Sequence, residues 1–163
     1  MTKDNLYNAE NHITQAGYDN LVNELDELVA VKRKEVAGRL KEAISYGDLS
    51  ENAEYDAAKD EQAELEERIN FLESRIRNAN VVKSEELNAD IVSVGLTVKV
   101  KDLGSKEELS FIVVGSTEAD PFDGKLSCES ILGKSLLGKK RGAKIEIQIP
   151  DGISKYKILS IEK

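Results

Sequence analysis

Ala58, Gln62, Leu65, Ile69, Leu72, Ile76 and Ala79 follow one another at steps of 4, 3, 4, 3, 4 and 3. No other feature limits the fold of this chain as sharply. Alternating fours and threes form the seam of a coiled coil, so the segment is a helix that needs a second helix along it. The preceding sequence supplies one. Thr14 has the chemistry of an N-cap, and Tyr18, Leu21, Val22, Leu25, Leu28 and Val29 follow at helical spacing, continued by Val36, Leu40 and Ala43.

The two patterns meet at Gly47-Asp48-Leu49-Ser50-Glu51-Asn52-Ala53-Glu54-Tyr55. Gly47 suits the left-handed position that ends a helix, and Asp48 with Glu51 three residues later reads as a capping box opening the next. The expectation is an antiparallel hairpin, with a rod on the order of 40 Å at about 1.5 Å per residue. Asp48, Glu51 and Glu54 gather at its end. Gln62 and Ala58 leave the distal part less apolar than the base.

Charge is distributed unevenly along the chain. Residues 1–80 hold 18 acids against 10 bases, whereas residues 81–163 hold 13 of each, so the net charge of −8 lies in the first half. An acidic hairpin is poorly suited to gripping duplex nucleic acid unaided, because such affinity comes from Lys and Arg neutralising phosphates. Within it, Lys32, Arg33, Lys34, Arg39 and Lys41 form the one concentrated basic patch. It is read either as a solvated helix face or as a contact for a polyanion passing the side of the rod.

After Asn80 the period changes. Val81-Val82 leads to a polar connector at 84–90, and residues 91–100, 109–114, 125–128, 144–149 and 156–161 read as strands separated by turns, with a short helix at 135–137. The fold class is therefore α+β. A coiled-coil hairpin over residues 1–82 precedes a small antiparallel β domain with one short helix over residues 83–163. The first eleven residues read as a loosely held arm.

Most site chemistries are absent from the sequence. Cys128 is the single cysteine, which rules out an intrachain disulfide and a cysteine zinc site and leaves it a small buried hydrophobe. His12 is the single histidine, placed beside the polar arm, and is assigned a structural or surface role. Gly133 and Gly138 lack the following long helix of a phosphate loop. No apolar run reaches a membrane span, and no signal pattern opens the chain, so a cytoplasmic location is expected.

The tip acids remain. Capping the second helix accounts for Asp48 and Glu51 on its own. Yet hard carboxylate oxygens at the end of a slender rod also make an incomplete Mg²⁺ site, since that ion keeps waters and shares ligands with phosphates. Such a half-site works only when inserted beside the missing ligands.

The stretch Gly47–Tyr55, with Glu42-Ala43 before it and Ala58-Lys59 after it, resembles the tip signature of the bacterial Gre transcript-cleavage factors, of the GreA type. Thr14, Gly17 and Leu21, then Glu118-Ala119-Asp120, Leu137-Gly138-Lys139 and Pro150-Asp151-Gly152 extend the resemblance over nearly the whole chain. It implies an FKBP-like second domain and a monomeric accessory factor of RNA polymerase, not itself an enzyme. The hairpin would enter the polymerase secondary channel while the second domain docks on the β′ subunit at the rim. Asp48 and Glu51 would share a catalytic Mg²⁺ with polymerase, which then cuts backtracked RNA near its 3′ end. No ion would be tightly held by the factor alone. Under this resemblance the basic patch becomes an RNA contact, and Ser130 with Ile131 a rim contact. The chain departs from the family pattern at Lys34, where proline is common, at Ile44, where arginine is common, and at Ile131, where the family carries Ser-Pro.

Other readings are a channel-binding modulator that does not promote cleavage and a coiled-coil adaptor with Asp48 as a cap only. Proline isomerisation is disfavoured, because Phe111, Phe122 and Tyr156 are the second domain's only aromatics.

Overall fold

The computed structural model describes residues 11–47, 52–83, 85 and 87–163. Two compact units divide the chain, one of them Asp19–Asn78 and the other built from the segments on either side of it.

The first unit is helical. Helix α1 (Gln15–Glu27) runs through a π-helical turn (Leu28–Lys32) into α2 (Arg33–Ser45), and α3 (Ala53–Arg77) pairs with α2. Val36, Leu65 and Ile69 are buried together, with Leu25, Leu28 and Leu40 packed against them. Leu72 is also buried, so the seam read from the sequence is the buried edge of α3. Nearer the tip, Ala43 and Ala58 are fully buried, small side chains where the arms need to approach closely.

The π turn has a cause in the spacing. Leu21, Leu25 and Leu28 step by four and three, and so do Val36, Leu40 and Ala43, but Leu28 and Val36 are eight apart where a heptad allows seven. One extra residue rotates an α-helix by about 100°, and a turn bonded i→i+5 absorbs it.

The second unit holds two sheets. Strand β1 (His12–Thr14) pairs in parallel with β2 (Asn80–Val82), a pairing the sequence reading did not contain. The larger sheet has the order β5-β4-β3-β7-β6, from β3 (Thr97–Asp102), β4 (Glu108–Val114), β5 (Lys125–Ser127), β6 (Lys144–Ile149) and β7 (Gly152–Glu162). Its pairs are antiparallel except β4 with β5. Alternation sends Val98, Val100, Ile145 and Ile158 inward, where they join Val92, Val94, Leu96, Val113 and Leu136. Cys128 is fully buried in the same core, as its composition-based reading held. Helix α4 is Ile131–Leu136, a turn earlier than expected. The expected first strand is likewise shorter, since Ile91 makes only an isolated bridge to Lys140.

Candidate functional site

Helix α2 closes at Tyr46, whose N–H donates to the Ala43 carbonyl at 3.2 Å, and Gly47 follows with φ of 107°. That positive φ is the left-handed conformation that favours glycine, as the helix stop required. Asp48 and Glu51, the expected catalytic and metal-binding acids, lie outside the described residues together with Leu49 and Ser50. The polar arm of residues 1–10 does too.

The cap of α3 differs from expectation. It is Asn52 rather than Asp48: its Oδ1 accepts from the Tyr55 N–H at 3.1 Å, and its Nδ2 donates to the Ala43 carbonyl at 2.8 Å. One side chain therefore satisfies an open amide of one helix and adds a second bond to a last-turn carbonyl of the other. Asparagine, unlike aspartate, carries amide donors beside its acceptor oxygen, which is the signal that could have found it.

Glu54 is not an isolated third acid, because Arg39 reaches across the hairpin to Glu54 at 2.7 Å and to Glu61. Lower on the rod, Arg33 grips Glu66 with two bonds of 2.7 and 2.6 Å, and Arg68 grips Glu24 at 2.7 and 2.9 Å. The forked guanidinium suits such two-point contacts between arms. Hydrogen bonding from Arg33 holds the Glu66 carboxyl below its ordinary range, and Glu66 in turn raises Arg33. Tyr46 donates its hydroxyl to Glu42 at 2.8 Å, which pushes the phenol up.

The five cations of the basic patch thus divide. Arg33 and Arg39 join the arms, and Lys32 bonds Glu35 at 2.8 Å on its own helix. Lys34 and Lys41 are exposed and make no ion pair among the described residues. Seven apart on α2, they share one face, opposite the buried Val36 and Ala43.

In the sheet unit, Ser130 caps α4: its Oγ accepts from the Gly133 N–H at 3.0 Å and donates to the Ser127 carbonyl at 2.7 Å. A Cβ at Gly133 would overlap that same carbonyl oxygen. Ile131 is 64% exposed and Phe122 fully so. His12 is buried on β1, a structural position. Among the described residues no group of His, Cys, Asp and Glu is arranged to hold a metal ion, and no helix is long and apolar enough to cross a membrane.

The sequence patterns of the GreA/GreB transcription elongation factors match residues 11–81, for the N-terminal domain, and 87–163, for the C-terminal domain. The chain belongs to the GreA/GreB family. It is 54% identical to transcription elongation factor GreA of Clostridioides difficile over 96% of this chain and 98% of that protein. GreA of Clostridium kluyveri is also 54% identical, over 93% of this chain and 95% of that protein. A crystal structure of GreA factor homolog 1 from Thermus thermophilus aligns with 93% of this chain and 98% of its own at 29% identity, with a TM-score of 0.43. As a GreA/GreB member this chain is a transcription elongation factor built from a helical hairpin and a curled, largely antiparallel sheet domain.

Proposed function

We propose that this GreA/GreB member stimulates RNA polymerase to cleave its own backtracked transcript, with Asp48 and Glu51 as the acids delivered to the polymerase active site. The observation that carries the reading is the uninterrupted signature Gly47–Tyr55 placed where α2 ends and α3 begins. The chain's contribution is mechanical as well as chemical. Asn52 and the Arg39 bridge hold the ends of the two arms together, so the arms themselves have little conformational freedom left to lose on insertion.

Carboxylate oxygens are the hard donors that Mg²⁺ takes, and two of them leave positions for ligands from polymerase and RNA. Bound there, the ion would supply charge neutralisation at the phosphate and an acidified water. Lys34 and Lys41 are the members of the basic patch available to the 3′ segment of the RNA, whereas Lys32, Arg33 and Arg39 already face carboxylates. Ser130 and Ile131 are the proposed contact with the β′ rim, Ile131 supplying exposed apolar surface where the family pattern carries proline. The working location is the cytoplasm, where polymerase acts.

Stalled, backtracked elongation complexes with Mg²⁺ test the proposal. Wild type should release shortened RNA, and Asp48→Ala or Glu51→Ala should lower the rate at least tenfold. Absence of shortened RNA with wild type, or variants that both match the wild-type rate, sinks it.

A further inference from the structure

The outer face of the larger sheet carries a line of like charges. Lys157 on β7 stands directly opposite Lys144 on β6 and directly opposite Lys101 on β3. Directly paired residues share a face, with Cβ atoms about 4.5–5.5 Å apart, and like charges in that position destabilise a sheet. Elsewhere on the same face the charges are matched. Lys99 pairs with Glu108 at 3.0 Å, and Lys155 with Glu146 at 2.8 Å. None of the three lysines of the row makes an ion pair among the described residues; Glu108 faces Lys101 in register, but Lys99 holds it and Lys101 acts on it only through space. The turn entering β6 adds Lys139, Lys140 and Arg141, also outside any ion pair among the described residues.

We propose that this lysine row docks on the phosphate backbone of a nucleic-acid duplex. Lysine heads are hydrated point charges suited to phosphate, and lysine is depleted where proteins meet proteins. The face also lacks an aromatic platform: Phe111 and Tyr156 pack against the core on the other side, and the exposed Phe122 lies beyond β4 in the turn leading to β5. Binders of single strands depend on bases stacking on such platforms, so the row takes a duplex, and without reading its sequence. The 13 bases of residues 81–163 are balanced by as many acids overall, but the pairing just described leaves positive charge concentrated on this face. The proposal is independent of the role of the hairpin tip.

The test is fluorescence anisotropy of the full chain with a short labelled DNA duplex, titrated across a range of salt. Wild type should bind weakly, with Kd on the order of 10⁻⁴ M at physiological salt, tightening as salt falls. The triple variant K101Q/K144Q/K157Q should lose about 2.7 from the slope of log K against log salt, at about 0.9 per phosphate neutralised. The triple arginine variant should keep it. An unchanged slope in the glutamine variant overturns the proposal, as does equal affinity for a single strand of the same length. The glutamine variant should also melt at or above the wild-type temperature, because it removes repulsion from the sheet. Melting below wild type would contradict the reading of the row as a burden on the fold.

Discussion

Glu118 accepts hydrogen bonds from both the backbone N–H and the hydroxyl of Thr14, which lies 104 positions earlier in the chain. The same carboxylate accepts from the Gly115 N–H at 3.1 Å, and Thr14 Oγ1 in turn accepts from the Gly17 N–H at 3.0 Å. A Cβ at Gly17 would overlap the Glu118 side chain. The start of α1 is thereby tied to the turn after β4, inside one compact unit.

Glu118→Ala should therefore destabilise the protein by about 1–3 kcal/mol, the usual cost of stranding partly buried donors. Gly17→Ala should also destabilise it, by displacing Glu118. Because both act through one carboxylate, the double variant should lose less than the two losses added. Urea unfolding of the four proteins measures this, and simple additivity would refute the shared cause.

Asn52→Ala should cost about 1 kcal/mol through loss of the cap. Asn52→Asp separates the two bonds, keeping the acceptor for Tyr55 and losing the donor to Ala43. Hydrogen exchange at the Tyr55 amide should quicken in the alanine variant and stay slow in the aspartate variant. Fast exchange in both would assign the cap elsewhere.

The Arg33–Glu66 contact predicts a pH dependence. Glu66 has its folded pKa lowered, so its contribution to stability is present above the unfolded value and is lost as pH falls through the folded one, which lies below the ordinary 4.5. Both side chains are exposed, so Arg33→Gln should lower Tm at neutral pH by only about 1–2 °C. Melting curves of the two proteins should converge as the pH is lowered past 4.5. A gap independent of pH would mean that Arg33 acts through packing alone.

What the sequence disclosed follows from period and backbone chemistry. The seam of α3, the cap at Thr14 and the helix stop at Gly47 each depend on a spacing or on one residue's own conformational preference. So do the four longer strands. The parallel pairing of β1 with β2 was not legible, because three residues give no measurable period and their partners lie 68 positions away. The cross-hairpin bridges were not legible either. Arg33, Arg39 and Arg68 stand among many carboxylates, and only the three-dimensional phase of the two helices selects Glu66, Glu54 with Glu61, and Glu24. The tip acids are assigned from their signature alone, while the role of Asn52 was not legible because its two bonds go to two different helices.

The π turn at Leu28–Lys32 means that the first arm carries one residue more than its repeat can use. Deleting Ala30, which is exposed within that turn, would let the backbone relax into a plain α-helix without rotating Arg33 or Arg39 away from their carboxylates. Inserting a residue there would turn both by about a quarter of a revolution and break the Arg33 and Arg39 bridges at once, leaving only Arg68–Glu24 before the turn. The hairpin is thus asymmetric toward length mutations: it has slack for a loss and none for a gain.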